Sequence, residues 1–235
     1  MGFSYVASDN IRNDASGTTL AVAELFDVNA GDLLVCVASW ETTDVGTATV
    51  ADAEATNSMT LLARTTYNSQ CLAFGYKLVA SFNDDSVFTL TLDAARTYRS
   101  VAVFQYRPDA GDTVSVDAGP NVGTGNTDSP TSGDINTSET DEVIFGSMKE
   151  YSGKNISLTQ IADINSDHVE TSGQLFAMWD KLFASDPGDG IHSQCFFVGG
   201  TSQWICDILA FKSVAAAGGS TIPRYKKYYD YRRAQ

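Results

Sequence analysis

Gly31-Asp32-Leu33-Leu34-Val35-Cys36-Val37-Ala38-Ser39-Trp40 is the stretch that decides the fold. Its apolar centre, Leu33 to Ala38, follows a Gly-Asp turn and has the length of a strand. Its valines favour extended backbone, and no helical spacing organises it. It is also the longest run of its kind, far short of the ~20 apolar residues a membrane helix needs.

Comparable short runs extend in both directions. With 32–40 they predict strands over 3–7, 18–25, 47–51, 58–64, 70–79, 86–92 and 98–107, then over 114–117, 142–149, 157–165, 174–183, 194–198 and 204–212. The separators carry turn chemistry. Asn29-Ala30-Gly31-Asp32, Asn83-Asp84-Asp85 and Asp186-Pro187-Gly188-Asp189-Gly190 hold residues that tolerate left-handed backbone or bond to their own main chain. Pro108 ends the strand before it, since proline cannot donate to a ladder. Short strands with turns every ~8–12 residues predict an all-β, antiparallel β-sandwich. A chain of 235 residues, 43% hydrophobic and 19% charged, is ordinary globular composition and needs no staple to fold.

Residues 119–138, GPNVGTGNTDSPTSGDINTS, hold almost no large apolar side chain and read as a surface loop or linker. They divide a 1–212 body into halves of about 1–118 and 139–212 that echo one another. Residues 72–81 (LAFGYKLVAS) match 176–185 (FAMWDKLFAS) at Lys, Leu, Ala and Ser. Residues 31–35 echo 140–144, and 101–107 echo 206–212. The expected arrangement is one sandwich whose two facing sheets are the two halves. Half the chain offers few strands for an independent core, which makes two small linked domains the alternative.

The four cysteines, Cys36, Cys71, Cys195 and Cys206, sit in apolar runs without zinc spacing and read as buried thiols. A Cys195–Cys206 bridge between adjacent strands stays open. His168 and His192 read as surface-loop histidines, and no GxSxG elbow, Walker loop or dinucleotide fingerprint occurs. A glycosidase needs two carboxylates across a cleft, but Glu24, Glu41 and Glu150 read as residues of solvated strand faces. The chain is thus expected to have no catalytic residue and no cofactor. Calcium is the metal that loop carboxylates favour, with Asp84, Asp85, Asp186 and Asp189 as weak candidate ligands. A sugar-binding face would require Trp40, Trp179 or Trp204 to be exposed in a row with Tyr67 or Tyr151.

Net charge is −14, which repels nucleic acid and anionic membrane and leaves basic partners or metal ions as the matching surfaces. The charge is unevenly placed. Residues 213–220 are a flexible linker by composition. The segment 221–233 then holds five bases and one acid (+4), against ten bases and 28 acids (−18) elsewhere. Arg224, Tyr225, Lys226, Lys227, Tyr228, Tyr229, Tyr231, Arg232 and Arg233 are the candidate partner-binding residues. A frayed terminus and nucleic-acid contact are the other readings. The acidic body of a sister copy is the favoured target.

The first residues lack the basic and apolar regions of a signal peptide, and Val6 stands where myristoylation needs Ser or Thr. Synthesis in the cytoplasm without export is expected.

The layout of Gly31–Trp40, Gly75-Tyr76-Lys77, Ser100 to Tyr106 and Trp204 to Lys212 resembles jelly-roll-like β-sandwich proteins encoded among tailed-phage structural genes. The resemblance covers roughly 18–212 and consists of apolar strand patterns. It implies a virion component, either a capsid decoration protein, a tail protein or part of a fibre, with other virion subunits and itself as partners. Related sandwiches also bind sugars, so a carbohydrate-binding or host-attachment module with a host-surface glycan is the alternative. A polysaccharide hydrolase is the second. The long Ser/Thr/Gly spacer and the basic tail depart from the pattern.

Overall fold

A computed structural model describes residues 2–22, 26–42, 46–53, 57–171 and 176–215, with only the backbone of Ala63 and Asp85. The deciding stretch forms β4 (Leu33–Glu41), the central strand of a five-stranded antiparallel sheet. The order is β1 (Phe3–Asn13), β10 (Arg99–Pro108), β4, β7 (Gln70–Leu78), β6 (Thr60–Tyr67). One face is covered by β2 (Gly17–Ala21), β9 (Thr89–Arg96) and β5 (Ala48–Ala51), paired in that order, and by the pair β3 (Phe26–Val28) and β8 (Asn83–Ser86).

The second half repeats this plan. Its long sheet runs β11 (Thr113–Thr127), β18 (Ser202–Val214), β12 (Glu142–Glu150), β16 (Phe176–Phe183), β15 (His168–Thr171). Its outer face carries β14 (Ile164–Asn165), β13 (Asn155–Ile161) and β17 (Ser193–Val198). Segment 131–135 bridges to the same outer sheet at Thr131↔Gln194 and Ile135↔Ile191, the place β2 takes in the first half.

The antiparallel sandwich therefore has four layers, not two. Each half brings its own pair of sheets, and the two long sheets pack face to face. One core lies under the first outer sheets and contains Leu34, Cys36, Trp40, Phe88 and Leu90. The middle core joins Leu33, Val35, Val37 and Phe104 to Val143, Phe145, Phe176 and Leu209. The third places Ile144, Trp179 and Ile208 against Ile161, Cys195 and Phe197. Successive residues of a strand point to opposite faces. Strand β4 is buried on both, which explains why its apolar run is continuous.

Registers fix the equivalence of the halves. Cys36 stands opposite Gly75 and Val103, and Gly146 stands opposite Trp179 and Ile208. This reproduces the 72–81/176–185 and 101–107/206–212 echoes. It moves the 31–35 echo by one residue: Asp32 matches Glu142, and Gly31 matches Asp141. Gly31 (φ 92°) and Asp141 (φ 62°) both have left-handed backbone. β1 lies over β15, β7 over β12 and β6 over β11, so the pseudo-two-fold axis runs along the strands. β4 and β12 thus end at the same end of the molecule.

Two expected turns or loops are strands. Asn83-Asp84-Asp85 belongs to β8, paired with β3. Residues 119–127 belong to β11, and the halves meet between Pro108 and Thr113 rather than across 119–138. Gly123 shows why this part of β11 has so few large side chains. A Cβ there would run into the Thr131 carbonyl of the segment crossing over it.

Candidate functional site

The nine tail residues, Arg224, Tyr225, Lys226, Lys227, Tyr228, Tyr229, Tyr231, Arg232 and Arg233, lie outside the described residues. The body they leave is described, and its exit end is rich in carboxylates. Strand β18 ends at Val214, paired with Thr113. Ser213 donates its hydroxyl to Asp112 (2.8 Å) and its N–H to the Asp141 carbonyl (3.2 Å). Lys212 Nζ lies 2.9 Å from Asp117 and 3.7 Å from Glu139. The Asp109 N–H donates to the Gly2 carbonyl (3.0 Å). At the equivalent place in the first half, Arg107 donates twice to Asp32, at 2.8 and 3.0 Å. Burial and the neighbouring Asp117 push the Glu142 carboxyl up to about 8, so it keeps its proton at neutral pH. Asp109, Asp112, Glu139 and Asp141 stand half-exposed at this rim, whereas the carboxylates of Asp32 and Asp117 are buried against Arg107 and Lys212.

A polar seam joins the halves along one flank. His168, expected in a surface loop, opens β15, and its Nδ1 lies 3.1 Å from Oδ1 of Asp180. The Tyr106 hydroxyl donates to the same buried carboxylate. Tyr5 stacks on the imidazole at 3.8 Å. Burial raises the Asp180 carboxyl and the Tyr106 hydroxyl above their usual ranges. On the opposite flank the equivalent positions are Tyr76 and Phe211, a plain aromatic contact at 5.2 Å. The imidazole's partners are thus the Asp180 carboxylate and the Tyr106 hydroxyl, the latter 3.3 Å from Nδ1.

At the end opposite the chain's exit, on the pseudo-two-fold axis, a crevice of about 340 Å³ opens between the two long sheets. Glu41 closes β4, Gln70 opens β7, Lys149 and Glu150 close β12, and Tyr98 and Tyr151 flank them from adjoining turns. Lys149 is 1% exposed and donates to the Tyr98 carbonyl at 3.2 Å. Burial, with nearby Arg12, pulls its amine down to about 8. Glu150 is wholly buried, not on a solvated face. Its carboxylate accepts from Ser152 N–H (2.7 Å), Lys154 N–H (2.7 Å) and the Ser202 hydroxyl (2.6 Å), which fixes the turn carrying Tyr151. Glu41 accepts the Thr97 hydroxyl at 2.6 Å. Two residues deeper on the same faces stand Ser39 and Ser147, with Ser100 opposite Ser39; all three hydroxyls are buried without a partner.

The remaining candidates are placed as follows. Trp40, Trp179 and Trp204 are buried, so they offer no sugar platform. The four cysteines are free and buried. Burial pushes the Cys36, Cys71 and Cys206 thiols up to about 12. Asp186 accepts the Gly188 N–H at 2.8 Å and shapes its own turn. Among the described residues no group of three or more His, Cys, Asp or Glu side chains is arranged to hold a metal ion. No described helix is long and apolar enough to cross a membrane. The chain matches no model of a known protein family and no curated protein.

Proposed function

We propose that the protein is a structural component of a phage particle and acts by assembly, the 221–235 segment of one copy clasping the exit end of a neighbour. The observation that carries this reading is where the chain leaves its body. Val214 ends among Asp109, Asp112, Asp117, Glu139 and Asp141, with Lys212 paired to Asp117 and Glu139. Bodies carrying −18 repel one another, and the +4 segment is the chain's own concentrated counter-charge. Arg224 is ten residue steps beyond Val214, enough to span at most ~35 Å, so the segment can reach a second copy. A patch that binds elsewhere on an identical molecule generates rings or filaments, the assemblies of particle proteins. The strand order also supports the resemblance. In the first half a sheet ordered β1-β10-β4-β7 faces one ordered β2-β9-β5, and in the second β11-β18-β12-β16 faces β17-β13 with segment 131–135 bridged beside β17; two facing antiparallel sheets per half are what the jelly-roll reading calls for.

Deleting 221–235 is expected to leave the body folded and to abolish self-association, measured by light scattering after size exclusion. The full chain should lose its association between 0.1 and 1 M salt, where the screening length falls from ~10 to ~3 Å. A truncated chain that assembles like the full one would sink the clasp.

A further inference from the structure

We infer that the crevice between the two long sheets binds a neutral pyranose, held between Tyr98 and Tyr151 with Lys149, Glu41 and Gln70 bonding its hydroxyls. The inference is independent of assembly through the tail, which leaves from the other end.

The lips come first. Tyr151 is 55% and Tyr98 40% exposed, in a protein that buries all three tryptophans. Neither ring is needed for the core. Tyr151 is fixed from below by the Glu150 turn and by its own N–H donating to the Gln203 carbonyl at 3.1 Å. Tyr98 is held with left-handed backbone, φ 48°, its carbonyl tied to Lys149. A β-branched or bulky residue in that conformation is costly and persists where the surroundings impose it. The Arg12 guanidinium lies over one face of the Tyr98 ring, 6.0 Å from its centroid; the Tyr98 face left over and the Tyr151 ring offer electron-rich surfaces to the C–H face of a sugar, and hydroxyls to its rim.

The floor supplies both halves of a hydrogen-bonding set. An ammonium has three donors, and Lys149 spends one on Tyr98. Glu41 retains acceptor capacity beside its bond to Thr97. Gln70, 4% exposed, adds an amide that both donates and accepts. Vicinal hydroxyls, each a donor and an acceptor, match such a mixture. A purely cationic or purely anionic ligand does not.

Charge narrows the class further. Glu41 and Glu150 line the crevice with Lys149, and Arg12 and Asp14 act on the same ammonium from β1 and its end, so the charges near the site come to two cations and three carboxylates in a chain of net charge −14. Acidic sugars are disfavoured there, while an organic cation would meet the lysine. The volume, about 340 Å³, falls at the small end of ligand clefts and suits one or two sugar rings. The axis position matters too. Tyr151 stands where the first half has Glu41, and Lys149 where it has Ser39, so matching positions of the two halves supply different groups to one site.

The test is saturation-transfer NMR and calorimetry on the full chain. The probes are methyl α-glucoside, methyl α-mannoside, methyl β-galactoside, N-acetylglucosamine and their β-linked disaccharides, with galacturonic acid and choline as charged probes. At least one neutral probe should bind, and Tyr151→Ala, at an exposed position, should weaken it tenfold or more with unchanged melting. Lys149→Met should weaken it similarly, while Tyr67→Ala, at a ring outside the crevice, should not. Binding by no neutral probe, binding confined to galacturonic acid or choline, or equal binding by Tyr151→Ala would each overturn the assignment.

Discussion

Phe145→Ala is expected to lower the stability of the whole body by ~3–5 kcal/mol in urea unfolding. Phe145 is fully buried in the middle core, with ring centroids 5.9 Å from Phe104, 5.7 Å from Tyr106 and 6.0 Å from Phe211. Phe104 and Tyr106 belong to the first half and Phe211 to the second, so one side chain couples both. Truncation leaves a cavity that two rigid sheets cannot collapse to fill, and the edge-to-face contacts add to the loss. Phe82→Ala, at a ring 60% exposed, should stay within ~0.5 kcal/mol. A loss below ~1 kcal/mol for Phe145→Ala would mean that the two long sheets are not a shared core.

Stability is expected to fall as pH rises from about 4 to 8, and Asp207→Asn should remove much of that slope. Burial pushes the Asp207 carboxyl up to about 7, although it accepts the Ile208 N–H at 2.8 Å. Glu142 is pushed up to about 8, and Asp180 is raised as well. Below pH 4 these groups are protonated in both states. Above it the unfolded chain ionises while the native chain holds its protons, so the unfolded state binds fewer protons and folding loses free energy until the native groups titrate. At 1.36 kcal/mol per pKa unit, Asp207 alone accounts for roughly 3–4 kcal/mol by pH 8. Self-repulsion of the acidic surface acts in the same direction. Lys149, lowered to about 8, works oppositely, but chiefly above that pH. Asp207→Asn keeps an acceptor for Ile208 and should make the protein more stable at pH 8 with little change at pH 4.5. Equal stability of the two proteins at pH 8 would contradict a buried, protonated Asp207.

Much of the body was legible in its strands. The runs at 32–40, 70–79, 98–107, 142–149, 174–183 and 204–212 lie on β4, β7, β10, β12, β16 and β18. They were legible because long apolar runs between turn residues have few other uses. The same runs carried an unread signal. In a two-layer sandwich each strand should alternate apolar and polar, whereas β4, β10 and β12 are buried on successive residues. Continuous burial marks strands covered on both faces, hence four layers. The start of β11 was legible at 114–117, but its continuation over 119–127 escaped notice because the crossing segment at Thr131 requires Gly123, and the Trp204 ring requires Gly125, where a strand would ordinarily carry larger residues. β8 escaped because Asn83-Asp84-Asp85 has the composition of a turn. The crevice could not be read. Lys149, Glu150 and Tyr151 end an apolar strand like any other exit into solvent; the first half, through Tyr98, covers Lys149, the turn at Ser152–Lys154 with Ser202 encloses Glu150, and Tyr151 stays exposed. For His168 the signal was equally remote, since Asp180, Tyr106 and Tyr5 come from three other strands.

The claim that one copy's basic segment holds the acidic end of another is tested most directly by zero-length carbodiimide cross-linking of a mixture of isotopically light and heavy chains. The account predicts mixed-isotope links from Lys226 and Lys227 to Asp109, Asp112, Glu139 or Asp141, lost at 1 M salt. Links confined to single chains, or links from the segment to Glu41 and its surroundings at the opposite end, would contradict it.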